Sequence, residues 1–261
     1  MRGRALKISA SRRLVGDLMR LSMGIPRVTV QRRMSLAPLL AARNSHSQRP
    51  SWTVLFLKGY GVLAREVPEL RRAYVRLPWQ HFYEYPKSVA SVAYEREHDG
   101  ERVVLLATVK HPESRSIASL QETIDATRSD PVLAIKPFRR ALMFAKLPGP
   151  VRWLLLWLGL NSAKRRVRHF GTFQLSVYSG LGAESLNPLT PLTTLLNWGP
   201  IDKDGTVNVR ILYDHRVMDG ATVARALARF EAVLNDDIAS EVNAMSSGDT
   251  LPKATRTGTA E

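Results

Sequence analysis

The sequence contains no cysteine, which excludes disulfide bonds, thiolate metal ligands and a cysteine nucleophile. Any covalent chemistry must therefore use another residue, and the composition suits a reducing, cytoplasmic setting. Acidic residues are nearly absent from the first 50 positions, where eleven lysines and arginines face the single acid Asp17. Long apolar runs are missing too. The segment WLLLWLGL, residues 153–160, falls well short of the roughly 18 to 20 residues that a membrane-spanning helix needs.

What remains is a chain of 261 residues, 44% of them apolar, with a net charge of +15. Its length allows one large domain or two small ones with a real core. The basic N-terminal extension, residues 1–26, has three interpretations: a solvated extension, a surface for polyanions or anionic membranes, and an organelle-targeting peptide. Nucleic acid is not an expected partner.

The pattern along the chain predicts a mixed α+β fold. WTVLFLKGYGVLAREVPEL indicates a helix that ends before Pro68, and two β-rich runs joined by HDG indicate a hairpin. SIASLQETIDATR predicts a helix capped by Ser116 or Ser119. Three further strands are expected in GTFQLSVYSGLG, TPLTTLLNWGPI and TVNVRILYDH. The small, polar stretch 239–261 predicts a flexible C-terminal tail.

Residues 131–168 are apolar and basic, with Trp153 and Trp157 among arginines and lysines. Short amphipathic pieces of this kind pack in a core or at an oligomer interface. They also lie at a bilayer interface, so peripheral membrane contact is the alternative.

The alternation of the last strand directs attention to His215. Val207, Val209, Ile211 and Tyr213 are expected on one face, and a period of two places His215 on that face at the strand's end. A neutral imidazole there accepts a proton near pH 7, as a general base must. The alternative is a histidine that makes ordinary hydrogen bonds, with Asp219 serving only as the N-cap of the following helix.

The stretch YDHRVMDGA resembles the H-R-x-x-D-G signature of the catalytic domain of 2-oxoacid dehydrogenase acyltransferases (dihydrolipoamide acyltransferases), whose fold is shared with chloramphenicol acetyltransferase. GTFQLSVYSGLG is similar to that family's G-T-F-T-I-S-N-L-G, and PRVTVQRRM is more faintly similar to its R-K-x-I-x-x-R-M. The resemblance implies a chloramphenicol acetyltransferase-like mixed β-sheet flanked by helices. It spans a catalytic domain at about 27–238, with residues 131–168 as a divergent insertion.

Carried over from the family, His215 is the general base that deprotonates a thiol or hydroxyl acceptor. Ser176 donates a hydrogen bond to the tetrahedral oxyanion. Asp219 is a structural partner of Arg27, and Gly220 supports the turn beside it. The resemblance also implies a homotrimer or higher multiple, with His215 and Ser176 from different chains.

The implied activity is transfer of an acyl group from a thioester donor to a small-molecule or lipidic acceptor. The donor would be a coenzyme A thioester or a lipoyl or phosphopantetheine thioester, with no covalently bound cofactor and no metal. No lipoyl or peripheral-subunit-binding domain precedes the resembling segment, so a stand-alone member is expected. The alternative is a catalytically inactive relative that acts as an oligomeric scaffold or membrane-associated binding protein.

Overall fold

A computed structural model describes residues 3–46, 48–176, 180 and 182–248, with only the backbone for residues 246–248. Within these residues the helices are α1 (Ala10–Met23), α2 (Ala37–Ser45), α3 (Trp52–Glu66), α4 (Ile117–Ser129), α5 (Lys136–Ala145), α6 (Gly149–Asn161), α7 (Ala163–His169), α8 (Gly220–Val233) and α9 (Ala239–Gly248). The strands are β1 (Arg27–Ser35), β2 (Arg72–Val75), β3 (His81–Glu84), β4 (Val89–His98), β5 (Glu101–Lys110), β6 (Phe173–Leu175), β7 (Thr194–Trp198) and β8 (Thr206–Asp214).

Six of these strands form one mixed sheet in the order β1-β8-β7-β6-β4-β5, and β2 and β3 form a separate pair. The β6 strand runs parallel to both of its neighbours, β4 and β7. The other pairings in the large sheet are antiparallel. The predicted α+β class, a mixed sheet flanked by helices, is confirmed.

The main core lies between one face of this sheet and the helices α3 and α8. The four alternating residues of β8 from Val207 to Tyr213 are buried in it, as the period of two predicted. Phe56 of α3 stacks on Trp198 of β7 with ring centroids 4.1 Å apart. Gly59 of α3 lies so close to α8 and the turn after it that a Cβ would come within 2.8 Å of Leu234 Cδ2. The sheet and α3 are therefore held in close contact.

Local signals placed the hairpin and the next helix correctly. Asp99 and Gly100 form the tip between β4 and β5 with φ values of 53° and 73°, the left-handed pair that a tight hairpin turn requires. Ser116, one of the two caps predicted for α4, accepts a hydrogen bond at its side chain from the backbone N–H of Ser119. Both features follow from short-range sequence alone.

The segments at 10–23 and 136–169 are four helices that pack together. Arg152 of α6 forms an ion pair with Asp17 of α1, and α1 also contacts α5 and β5. Most of the basic N-terminal extension is therefore a packed helix rather than a solvated arm. Within the described residues, no helix has both the length and the apolar character to cross a membrane.

The predicted tail at 239–261 is wrong in its first part. Residues 239–248 form α9, in which Ala239 and Val242 are buried. Ala239 and Val242 are three positions apart, as on one face of a helix, and they continue the buried stripe from Ile238. The small and polar residues around them made this pattern hard to recognise. The rest of the predicted tail, residues 249–261, lies outside the described residues.

Candidate active site

His215 follows the last residue of β8 and projects toward solvent. Its backbone N–H donates a hydrogen bond of 2.9 Å to the carbonyl oxygen of Pro26, which anchors the strand end to the chain before β1. The imidazole lies beside the ring of Tyr213, and 46% of its side chain is exposed. The predicted position at the strand end is confirmed, and the ring is accessible to a small molecule.

Asp219 is close to this imidazole. Its Oδ1 lies 3.7 Å from Nδ1 of His215, which is four positions earlier in the sequence. Asp219 has the backbone conformation of an N-cap, but its side chain makes no capping hydrogen bond to α8. The alternative in which Asp219 serves only as a cap is therefore wrong. At 3.7 Å the two groups are too far apart for a hydrogen bond, but the carboxylate lies on the Nδ1 side of the ring and not on the Nε2 side.

Gly220 begins α8 where the hydroxyl of Tyr213 approaches the backbone. A Cβ at this position would lie 3.2 Å from Tyr213 Oη. That hydroxyl is buried and has no hydrogen-bond partner within the described residues. Burial raises the pKa of Tyr213, and the negative charge of Asp219 raises it further. The absence of a side chain at residue 220 thus lets the helix start close to Tyr213.

The predicted ion pair between Arg27 and Asp219 does not form within the chain. The register of β1 and β8 places Arg27 opposite Asp214 instead, and the Asp219 side chain is 83% exposed, so it keeps its hydration. Burial lowers the pKa of Arg27 to about 10, although the negative charge of Asp214 acts to raise it. The pairing was mispredicted because strand register, not position in the family motif, decides which carboxylate Arg27 faces.

Arg216 binds Asp214 through two hydrogen bonds. Its Nε donates to Oδ1 at 2.9 Å and one terminal nitrogen donates to Oδ2 at 2.7 Å. The three guanidinium nitrogens of Arg27 are buried and have no hydrogen-bond partner within the described residues. Asp214 is therefore satisfied by Arg216, and Arg27 adds only an electrostatic contribution.

Replacing Arg27 with methionine is expected to change the free energy of unfolding by no more than about 1 kcal/mol. The guanidinium makes no hydrogen bond, methionine fills a similar volume, and Asp214 keeps its bidentate partner. Urea unfolding at a fixed protomer concentration measures the change. A loss of about 3 kcal/mol or more would show that Arg27 is the indispensable ion-pair partner after all.

Ser176 lies one residue beyond β6, and neighbouring β7 fixes its backbone. Its N–H donates to the carbonyl oxygen of Leu196 at 3.3 Å, and its carbonyl accepts 2.7 Å from the side-chain amide of Asn197. The residue is 6% exposed. Alternation along β6 places Ser176 on the face opposite Phe173 and Leu175, which lie in the core.

Ser176 and His215 are far apart within one chain. They lie on β6 and β8, which are separated by β7, a distance of about 10 Å across the sheet. By the strand register Ser176 is level with Asn197 of β7. His215 is level with Leu192, five residues earlier, so the two residues also differ by about 16 Å along the strands. The two side chains of a single protomer therefore cannot act on the same carbonyl group.

No protein-family model matches the sequence. No curated protein matches it either. Solved structures do match. One is a probable dihydrolipoamide acetyltransferase from Listeria monocytogenes 4b F2365, with a TM-score of 0.65 and 15% identity over 89% of this chain and 94% of that one.

A second is dihydrolipoamide acetyltransferase from Azotobacter vinelandii, with a TM-score of 0.66 and 17% identity over 90% of this chain and 93% of that one. That enzyme was studied for the role of a serine, a histidine and an asparagine in its catalytic mechanism. A third is the cubic core of the pyruvate dehydrogenase multienzyme complex, with a TM-score of 0.62 and 17% identity over 90% of this chain and 93% of that one.

The chain has the fold of these acetyltransferase cores. The likeness covers nearly the whole of each chain, so the acetyltransferase-core fold predicted from YDHRVMDGA is confirmed. At identities of 15 to 17% the likeness establishes the fold and leaves the activity to the residues of the site.

Sequence reasoning missed Asp214 and Arg166 as members of the site's charged surroundings. Asp214 is 2% exposed and Arg166 is 5% exposed, and each acts electrostatically on Arg27. The alternation of β8 could have indicated Asp214, because it places this residue on the face of the sheet opposite the predicted core residues. Arg166 gave no signal, because it is one of a run of basic residues in α7.

Proposed function

We propose that this protein is an acyltransferase that moves an acyl group from a thioester donor to a thiol or hydroxyl acceptor. The observation that supports it best is the exposed imidazole of His215 with a carboxylate 3.7 Å from its Nδ1, at the end of a strand of an acetyltransferase-core fold. The donor would be a coenzyme A thioester or a lipoyl or phosphopantetheine thioester.

In the proposed reaction, His215 Nε2 takes the proton of the acceptor thiol or hydroxyl. The acceptor atom attacks the thioester carbonyl carbon and forms a tetrahedral oxyanion. The carbon–sulfur bond then breaks, and the proton on His215 passes to the departing thiolate, so no proton is gained or lost overall. Asp219 lies on the other side of the ring, 3.7 Å from Nδ1.

Ser176 would donate a hydrogen bond to the oxyanion from an adjacent protomer. The separation of Ser176 and His215 within one chain supports this arrangement, because a shared site is the way for both residues to reach one carbonyl. Oligomerisation, as a trimer or a larger multiple, is then a condition for catalysis.

Replacing Ser176 with alanine is expected to lower the rate of acyl transfer about 10²- to 10³-fold, the usual cost of removing one oxyanion donor. The measurement is release of free thiol from acetyl-coenzyme A with dihydrolipoamide as acceptor. Ser185→Ala, in the loop after β6, is the matched control and should leave the rate unchanged. Equal rates for the wild type and Ser176→Ala would remove Ser176 as the oxyanion donor.

Should the wild type transfer no acyl group from any of the three donor classes to thiol or hydroxyl acceptors, the proposed activity is wrong. The assay therefore pairs acetyl-coenzyme A, acetyl-lipoamide and an acetylated phosphopantetheine with both acceptor types. Analytical ultracentrifugation of the same sample establishes whether it is oligomeric under the assay conditions.

A second candidate function, membrane-associated binding, is favoured by one face of α6. Val151, Leu154 and Leu155 are 43 to 49% exposed and lie one turn or less apart. Lysines and arginines flank them in the same region, and anionic lipids attract such charges. Co-sedimentation with anionic vesicles at low salt, lost in Leu154→Glu/Leu155→Glu, would support this function. Failure of the wild type to bind such vesicles would dismiss it.

A further inference from the structure

A groove of about 310 Å³ opens between the end of α1, the strand β2 and the helices α6 and α7. It is lined mostly by residues outside the motifs that resemble the acyltransferases. Arg20 comes from α1, Arg76 follows β2, and Arg166 belongs to α7. Arg216, from the turn after β8, completes a set of four arginines. None of the described residues that line the groove is acidic.

Arg166 is the buried member of this set. Its two terminal nitrogens donate to the carbonyl oxygen of Leu160 at 3.2 Å and to Thr193 Oγ1 at 3.4 Å. Its Nε is buried and has no hydrogen-bond partner within the described residues. Burial keeps solvent from screening the positive charge of Arg166 and therefore lowers the pKa of this residue.

Positive charge exceeds negative charge at the base of the groove. Asp214 is the only carboxylate among the described groups that act electrostatically on Arg166, and it is already bound by Arg216. Arg27 is a third guanidinium beside the same carboxylate. A buried positive charge without a compensating partner is costly, so an anion in the groove would be stabilised strongly.

Part of the remaining wall is aromatic. Trp153 and Trp157 of α6 line one side, and Trp153 is 40% exposed. The guanidinium carbon of Arg216 lies 4.3 Å from the ring centroid of Tyr74 in β2. This cation–π contact holds Arg216 in place. The groove thus offers apolar surface next to its arginines, suited to a ligand with a charged end and a ring or apolar body.

We propose that this groove binds the phosphate group of a phosphate-bearing ligand whose apolar or ring-containing part lies on Trp153 and Trp157. Phosphate is favoured because it carries more than one charge and accepts several charge-assisted hydrogen bonds from arginines at once. The phosphate belongs either to a soluble organophosphate or to a lipid headgroup. The inference does not depend on acyl transfer at His215, and its test measures binding only.

The test is calorimetric titration of the full chain with inorganic pyrophosphate. We expect saturable binding by the wild type. The double variant Arg20→Gln/Arg76→Gln removes two exposed arginines of the groove and keeps Arg166 and Arg216. Its affinity should fall about tenfold or more, because each arginine lost removes a charge-assisted contact with phosphate.

The matched control is Arg139→Gln/Arg140→Gln, which removes two exposed arginines from α5 and changes the net charge equally. It should retain the wild-type affinity for pyrophosphate. No saturable binding by the wild type, or an equal loss in both double variants, would overturn the proposal. In the second case, attraction to the overall net charge would explain the binding.

A second arm distinguishes the two sources of phosphate. Vesicles of phosphatidylcholine containing phosphatidic acid are sedimented with the wild type and with both double variants. Retention that is lost only in Arg20→Gln/Arg76→Gln and is displaced by pyrophosphate supports a lipid headgroup. Pyrophosphate binding that depends on Arg20 and Arg76, without such retention on vesicles, supports a soluble organophosphate.

Discussion

Replacing His215 with alanine is expected to lower the rate of acyl transfer about 10²- to 10⁴-fold, the usual contribution of a general base. The effect should lie in the turnover rate, because the imidazole acts when the acceptor proton is removed and not when the donor binds. The His215 side chain is 46% exposed and lies outside the buried core, so the variant should fold and assemble as the wild type does.

Release of free thiol from acetyl-coenzyme A measures this effect, with sedimentation velocity to confirm an unchanged oligomer. His81→Ala is the matched control, since this imidazole lies on β3, outside the large sheet. Turnover of His215→Ala equal to that of the wild type, with the oligomer intact, would remove His215 as the base. Retained activity in His81→Ala establishes that the loss is specific to the site.

Replacing Asp214 with alanine is expected to lower the free energy of unfolding by about 3 to 5 kcal/mol. Asp214 is buried, and Arg27, Arg166 and Arg216 all lie within its electrostatic reach. Without the carboxylate, three guanidinium groups repel one another at the end of β8. The variant also removes the two hydrogen bonds of Arg216 and the one from the Arg216 backbone N–H.

Urea unfolding at a fixed protomer concentration gives the size of this loss. Asp202→Ala is the control, because Asp202 is exposed in the turn before β8 and only its backbone is hydrogen-bonded. That variant should stay within about 0.5 kcal/mol of the wild type. A loss below about 1 kcal/mol for Asp214→Ala would mean that the arginine cluster does not depend on this carboxylate.

Local periodicity was enough to predict the face that each residue of β8 presents. A strand alternates every residue, so the apolar set from Val207 to Tyr213 fixed the core side and placed His215 at the strand end. The hairpin tip at Asp99 and the cap at Ser116 are likewise encoded within a few residues. Such features need no knowledge of distant parts of the chain.

The partners of the charged residues were not predictable in this way. Arg27 and Asp214 lie 187 positions apart and meet only because β1 pairs with β8 in one register. A shift of one residue would send Arg27 to the other face of the sheet. The family motif suggested Asp219 as the partner, but Asp219 directly precedes α8 and its carboxylate faces solvent near His215.

Composition misled the prediction at the C-terminus. Most side chains in residues 239–248 are small or polar, which is typical of a mobile tail. The buried side chains of Ala239 and Val242, the packing of α2 and an ion pair between Glu241 and Lys58 hold α9 in place. A helix with so narrow an apolar stripe becomes evident only from its contacts.

The most direct test of a shared active site is activity in mixed oligomers of His215→Ala and Ser176→Ala. Each variant alone should be nearly inactive. After the two are unfolded and refolded together in equal amounts, about a quarter of the interfaces should combine an intact His215 with an intact Ser176 from the next protomer. A site shared between protomers therefore gives recovery of up to about a quarter of the wild-type activity. Mixed oligomers as inactive as either parent would contradict it.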